Sequence, residues 1–486
     1  MSDEPGTGTG TAVRERVDRF FKIGERGSTM GREVRGGLVT FFTMAYIVVL
    51  NPIIIGGVAG NPTNADVAGH VLPMVQVAGV TALVAGVMTI LMGLIANYPF
   101  AIATGLGINS LLAVAVVQHM TWPAAMGLVV IDGLIIVILG ATGFRTAVFN
   151  AVPAELKAAI AAGIGAFIAF IGLVDSGFIT RTQGGPPVQL GSDGSISTVP
   201  TLIFAVGVLL MGVLTVRKVR GALLIGIVTM TIVSLIVESI LHLGSSTKKP
   251  GGWAMNVPGM PDSFGGLPDL SLVGKVDLLG GFQQAGIVLA STLVFTLVLA
   301  NFFDAMGTMT GIGKEGDLVD AKGNLPGIGK ALMVEGVGAV AGGAASSSSN
   351  TVFVESASGV AEGARTGMAN IVTGGLFLIA MFFTPLYEIV PMEAVTPALV
   401  VVGALMMGQV REIDWTRFEY ALPAFLTIVV MPFTYSIANG IGVGFISWVV
   451  LATARGKAKQ VHPLLWVVAA LFVLYFARGP IEHLFS

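Results

Sequence analysis

Ala341-Gly-Gly-Ala-Ala-Ser-Ser-Ser-Ser-Asn-Thr351 lies between apolar runs, and its reading decides the fold. A second stretch, Ala103-Thr-Gly-Leu-Gly-Ile-Asn-Ser110, is similarly small, polar and glycine-rich. Lipid leaves unpaired N–H and C=O groups unsatisfied, so loose backbone at membrane depth must be buried in protein or line a cavity. A span broken in this way exposes helix N-termini and free N–H groups near the midplane, where they can hold a polar or anionic ligand. Close helix packing through small residues is the plain alternative for one such stretch. A matched pair flanked by acidic residues favours a binding site.

Composition places both stretches at membrane depth. The 486 residues are 54% hydrophobic and only 11% charged, where a soluble domain carries about 25% charge. Mean hydropathy is +0.86. A large soluble enzyme is excluded, and the chain reads as an integral membrane protein of many spans. Glycine supplies 66 residues, about twice the usual share. With 26 basic and 28 acidic residues, the chain has no bulk basicity for nucleic acid. The absence of cysteine excludes disulfides and thiolate chemistry, and five scattered histidines suggest no metal centre. There is no Ser–His–Asp arrangement, His–Glu metal motif or P-loop, so neither an enzyme nor a cofactor is expected.

Apolar segments are expected near 37–57, 75–96, 102–118, 123–141, 157–174, 199–216 and 221–243. A second set follows near 282–308, 329–345, 350–361, 366–386, 392–409, 419–434 and 437–453. These are numbered here as spans 1 to 14. A last apolar stretch, 463–477, is a further crossing, a re-entrant piece or a surface helix. Residues 1–10 read as disordered, and Arg14–Arg35 as an amphipathic cytoplasmic lead-in or a merely solvated tail. Lysine and arginine concentrate in that tail and in alternate connections: Arg145 and Lys157; Arg217, Lys218 and Arg220; Lys314, Lys322 and Lys330; Arg365; Arg411 and Arg417; and Arg455, Lys457 and Lys459. Arg181, Lys248, Lys249 and Lys275 are the exceptions. The positive-inside rule then predicts a cytoplasmic N-terminus and fourteen crossings.

The two halves correspond. Pro153-Ala-Glu-Leu-Lys before span 5 resembles Pro391-Met-Glu-Ala-Val before span 12, and Asn109 in span 3 matches Asn350 in span 10. Seven crossings per half give the halves opposite orientations, the inverted-repeat plan of secondary transporters. The domain organisation expected is a tail, 1–36; a first repeat, 37–243; an extracytoplasmic connection, 244–281; a second repeat, 282–453; and a C-terminal segment, 454–486.

Acids within spans are costly and face the protein interior or a water path. Asp304 and Glu355 stand out. With Asn109, Asn301 and Thr308 they form a set of donors and acceptors suited to a planar heterocycle carrying ring N–H and exocyclic groups. Phe42, Phe302, Phe303 and Phe353 are candidates to stack on a ring. Burial and a like-charged neighbour favour the neutral form of a carboxyl group in general, which offers a route to proton coupling. Asp132, Glu238 and Glu335 read as structural, and Glu362 and Arg365 as a local i,i+3 ion pair.

Thr40-Phe-Phe-Thr-Met-Ala-Tyr-Ile-Val-Val-Leu-Asn-Pro52, Gly105-Leu-Gly-Ile-Asn109, Asp304-Ala-Met-Gly-Thr308 and Val354-Glu-Ser-Ala-Ser-Gly-Val-Ala-Glu-Gly-Ala-Arg-Thr-Gly367 together resemble the motifs of AzgA-like purine permeases. These belong to the nucleobase–cation symporter superfamily, with the uracil and xanthine permeases. The resemblance runs from about Phe20 to Ala477. It implies proton-driven import of adenine, guanine or hypoxanthine across the plasma membrane. It also implies an all-α fold of fourteen spans in a 7+7 inverted repeat, with short strands in broken spans 3 and 10. Spans 1–4 and 8–11 would form a core domain, spans 5–7 and 12–14 a gate domain, and the protein would be a homodimer. Glu355 would be the substrate carboxylate, assisted by Asn109. Thr43, Asp304, Asn301, Phe353, Ser349 and Asn350 complete the expected substrate site; Asp304, Glu355 and Thr308 are expected in proton coupling.

The sequence departs from that pattern at Asn301, where the family commonly has an aspartate, and at Thr308, where uracil-type relatives have a histidine. A sulfate- or bicarbonate-type anion carrier or a pyrimidine permease of the same architecture is the alternative. A central glutamate argues against the anion carrier.

Overall fold

The computed structural model describes residues 9–57, 64–142, 152–182, 187–191, 194–246, 248–254, 256–260, 263–320 and 325–485. Residues 1–8, Arg145 and Lys322 of the sequence reading lie outside these. Among the described residues, 10 helices are long and apolar enough to cross a membrane. Shorter apolar helices cover Leu106–Val116, Phe418–Phe433 and Pro463–Ala477. The chain is thus an all-α polytopic membrane protein. Its apolar helices bury one face in the bundle and leave the other to lipid: Leu209, Val216 and Ile240 remain largely exposed.

The boundaries shift in several places. Helix begins at Thr9, inside the stretch expected to be disordered, and runs Thr9–Phe21. Span 1 starts at Met30 rather than near residue 37, because Thr29 caps it by accepting from the Arg32 N–H at 3.3 Å. Span 8 extends through Gly280–Glu315, with a bend where Gly286 adopts a φ of 78°. The last apolar stretch belongs to a helix, Pro463–Phe485, packed on span 14. Phe472 anchors it against Phe295 and Phe445.

The packing partners follow an exchange rule. Span 1 packs on span 11, and span 8 on span 4. Span 2 packs on span 11, and span 9 on span 4. Span 5 packs on span 13, and span 12 on span 6; spans 6 and 7 pair as spans 13 and 14 do. Replacing each span by the one seven places away turns every pair in this series into another. Spans 5 and 12 pair with each other, as do spans 3 and 10. This is the helix pairing of an inverted repeat.

The glycine content is spent largely on these contacts. A Cβ on Gly133 of span 4 would lie 2.5 Å from the Val340 backbone nitrogen of span 9. A Cβ on Gly165 of span 5 would lie 2.8 Å from the Gly403 carbonyl of span 12. Without side chains the backbones touch, and dispersion between them replaces a hydrophobic force that lipid cannot supply.

The tightest approach lies where span 9 hands over to span 10. Helix Ile328–Ala344 stops, and Ser346 and Ser348 take left-handed conformations with φ of 58° and 79°. A Cβ on Gly342 would collide with the Ser348 carbonyl. Gly342→Leu is therefore expected to destabilise the protein by about 1–3 kcal/mol through overpacking. A thermal melt of the detergent-purified variant checks this; an unchanged melting temperature would contradict the close approach.

Candidate functional site

The two small-residue stretches meet. Ile102–Thr104 and Asn350–Val352 are short strands paired antiparallel, with Ile102 opposite Val352, Ala103 opposite Thr351 and Thr104 opposite Asn350. The pairing is lengthened by the Gly105 N–H on the Ser349 carbonyl and the Phe353 N–H on the Ala101 carbonyl, both at 2.9 Å. The strands lead into helices Leu106–Leu111 and Ser356–Ala361. Each broken span thus supplies the other's missing backbone partners.

Side chains from neighbouring spans satisfy what remains. The Thr89 hydroxyl accepts from the Ile102 N–H and donates to the Ile102 carbonyl. Asn370 donates to the Tyr98 and Phe100 carbonyls, Asn51 to the Ser347 carbonyl, and Asn350 to the Gly338 carbonyl. The Ser356 hydroxyl accepts from the Ala101 N–H. Most of these groups are buried amides or hydroxyls, chosen because a lone carbonyl in this environment costs free energy.

Glu355 stands just past the strand, at the head of helix Ser356–Ala361. Tyr46 of span 1, itself 1% exposed, donates its phenol O–H to Glu355 Oε1 at 2.6 Å. Asp304 of span 8 faces the charges of Glu335 and Glu355 and the Thr351 hydroxyl. Asn109 is buried one helical turn past the other strand; its amide donates to Thr104 Oγ1 at 3.2 Å, and its Oδ1 has no partner. Strand ends, Glu355, Asp304 and Asn109 therefore converge on the crossing.

Other expected site residues are placed differently. Asn301 and Ser349 turn toward Asp132 of span 4: the Asn301 amide donates to Asp132 Oδ2 at 3.2 Å and to Ser349 Oγ at 2.7 Å. Thr43 spends its hydroxyl on the Val39 and Thr40 carbonyls of its own helix. Thr308 is half-buried one turn beyond Asp304. Phe302 and Phe353 are buried, but Phe42 is 52% exposed and packs edge-on against Phe41, so it does not line the crossing. The Phe303 side chain lies outside the described residues.

The expected Glu362–Arg365 pair does not form. Arg365 Nη1 donates to the Val360 and Ala364 carbonyls, closing the carbonyl end of helix Ser356–Ala361. Glu362 instead pairs with Arg35 of span 1, Nε to Oε2 at 2.7 Å, and with Arg220 between spans 6 and 7. Asp132 and Glu238 are both hydrogen-bonded: Asp132 by Asn301 and Ser349, and Glu238 by the Leu243 N–H and the Trp253 indole N–H. Tyr46 is not among the residues expected at the site, although a tyrosine inside an apolar run needs a partner for its hydroxyl when buried.

Two broken spans that cross through paired strands, with carboxylates at the crossing, define a carrier rather than a soluble catalyst. Residues 31–443 match the Xan_ur_permease model, described as a permease family, and the chain belongs to that family. Guanine/hypoxanthine permease PbuG of Bacillus subtilis is 39% identical over 94% of this chain and 98% of its own length. Adenine permease AdeP of Escherichia coli is 34% identical over 96% of this chain and 97% of its own. Among solved structures, the transmembrane domain of the cyanobacterial bicarbonate transporter BicA superposes with a TM-score of 0.59 at 15% identity, covering 84% of this chain and 96% of that one. That likeness is one of fold alone.

Tyr46→Phe removes the donor to Glu355 and leaves the ring. Hydrogen bonds to charged groups contribute about 1.5–3 kcal/mol, so ligand affinity is expected to fall by about 10- to 100-fold. Binding measured on purified Tyr46→Phe checks this, and unchanged affinity would mean that the contact does not support the site.

Proposed function

We propose that this chain imports purine nucleobases by proton symport. The observation that carries the reading is the Glu355 carboxylate at the strand crossing, oriented by the Tyr46 hydroxyl. A carboxylate accepts paired N–H groups, as guanine presents at N1 and N2, or a single ring N–H, as hypoxanthine presents. Asn109, with an unpartnered buried Oδ1, adds an acceptor and a donor nearby. Guanine/hypoxanthine and adenine permeases among the relatives support a purine over a pyrimidine. An anion carrier fits less well, because a fixed negative charge at the crossing repels its cargo.

The transport cycle in this reading is alternating access. Spans 1–4 and 8–11 form a core that holds the crossing, and spans 5–7 and 12–14 form a gate. The packing supports this division, since the pairs 1–11, 2–11, 4–8 and 4–9 fall within one set and 5–12, 5–13, 6–12 and 13–14 within the other. Arg220, between spans 6 and 7, reaches across to Glu362 at the end of span 10, and this pair must part when the core moves. Fourteen spans in a 7+7 inverted repeat, a cytoplasmic N-terminus, a plasma-membrane location and a homodimer complete the proposal. Asp304 and Glu355, with Thr308 nearby, contribute to proton coupling through their negative charge. Asn301, Thr43, Phe353, Ser349 and Asn350 support the substrate site from behind the crossing.

Uptake of radiolabelled hypoxanthine, with unlabelled adenine, guanine, xanthine, uracil or cytosine in competition, tests the substrate class. Purines are expected to compete; strong inhibition by uracil alone would overturn the purine reading. Glu355→Gln, which keeps the shape and removes the charge, is expected to reduce uptake by at least about 100-fold with normal membrane expression. Collapse of an imposed pH gradient should abolish accumulation in the unmodified protein, and gradient-independent accumulation would remove the proton from the mechanism.

A further inference from the structure

We propose that Asp132 carries the coupling proton, in a buried station built with Asn301 and Ser349 that is separate from the substrate carboxylate. The inference rests on the proton-symport reading and names where the proton resides.

Asp132, Asn301 and Ser349 are each 0% exposed. They come from three elements, spans 4 and 8 and the segment that opens the span 10 strand. Asn301 Nδ2 donates to Asp132 Oδ2 at 3.2 Å, and the Ser349 hydroxyl donates to the same oxygen at 3.4 Å. Asn301 Oδ1 is buried with no partner. Those donors suit an ionised Asp132. The neutral acid would instead need an acceptor for its own O–H, and Asn301 Oδ1 is an unused acceptor on a side chain already in contact. Rotation of the terminal amide torsion exchanges Nδ2 for Oδ1, so one asparagine can serve both charge states. An ionised aspartate at 301 could not donate to ionised Asp132, and an apolar residue could serve neither form.

The charge balance of the core calls for such a station. Asp132, Asp304, Glu335 and Glu355 all stand within spans. No lysine or arginine occurs between Arg35 and Arg145, between Lys275 and Lys314, or between Lys330 and Arg365. Spans 8 and 9, which pack on span 4, carry the acids Asp304 and Glu335, and Glu355 lies beyond the crossing strand. The basic residues of spans 8 and 9, Lys314 and Lys330, stand near their ends. Asp304 faces Glu335 and Glu355, and like charges in neighbouring spans repel at low dielectric, a repulsion that bound protons relieve.

Ser349 links the station to the crossing. Its hydroxyl touches Asp132, its carbonyl accepts the Gly105 N–H of the other broken span, and the next residue begins the strand that leads to Glu355. A proton arriving on Asp132 releases the Ser349 hydroxyl and turns the Asn301 amide. The strand crossing is thereby coupled to the charge on Asp132 without contact between Asp132 and the substrate.

Asp132→Asn fixes the neutral shape and tests the idea in proteoliposomes. Accumulation of radiolabelled hypoxanthine under an inward proton gradient is measured beside counterflow exchange at equal pH. The unmodified protein should accumulate in a gradient-dependent way; if it does not, the proton-symport reading itself fails. Given that it does, Asp132→Asn is expected to lose gradient-driven accumulation by at least about ten-fold while counterflow stays within about three-fold. Accumulation retained by the variant would overturn the proposal, and so would loss of both activities, since that marks a structural aspartate. A second readout does not depend on the transport cycle. Hypoxanthine added to the purified protein in weakly buffered detergent should take up protons, reported by a pH indicator, and Asp132→Asn should bind hypoxanthine without that uptake. Undiminished proton uptake by the variant would overturn the assignment.

Discussion

Unpaired backbone at membrane depth is the constraint on which the rest of this structure depends. Two spans stop being helical near their middle, and water is not there to satisfy them. The solution is reciprocal: the strands Ile102–Thr104 and Asn350–Val352 pair with each other, and the groups they cannot satisfy fall to Thr89, Asn51, Ser356 and Asn370. Those side chains are supplied by spans 1, 2, 10 and 11. The packing of spans 1, 2 and 11 around the crossing is thus tied to the hydrogen bonds of the crossing itself. The glycines of the bundle serve the same end, since helices that carry partners to a central strand pair must come close to it.

The site grows out of that solution. Breaking the two spans creates strand ends, and the residues just beyond them are free to face a ligand. Glu355 lies three residues beyond one strand and Asn109 five residues beyond the other. Tyr46 fixes one carboxylate oxygen of Glu355. The acids of the core are held where no basic residue neighbours them in the chain, so hydrogen bonds such as those to Glu355 and Asp132 take on the work of balancing their charge.

Much of this was legible in the residues. The small, polar stretches at 103–110 and 341–351 stand out against apolar runs, and lipid permits few readings of them. Asp304 and Glu355 stand out for the same reason, as charges where charge is costly. Other features were not legible because they depend on partners distant in sequence. Arg365 was close enough to Glu362 to suggest a pair, but its guanidinium closes the end of a six-residue helix, leaving Glu362 to Arg35 and Arg220. Phe42 had the right residue type for stacking, yet its position on the helix turns it outward. Tyr46 carried a signal that went unused: a phenol inside an apolar run needs a partner.

The sequence by itself determined that this chain crosses the membrane many times, that two segments break at corresponding places, and that a few acids lie at depth. These follow from hydropathy and desolvation, which act residue by residue. Only the tertiary structure decided which broken backbone meets which, and which side chain faces each acid. Asn301 and Ser349, expected at the substrate site, donate hydrogen bonds to Asp132 of span 4, a partner the sequence does not indicate. The physical reason is that hydrogen bonds depend on distance and direction between groups more than a hundred residues apart, and helix packing alone sets those.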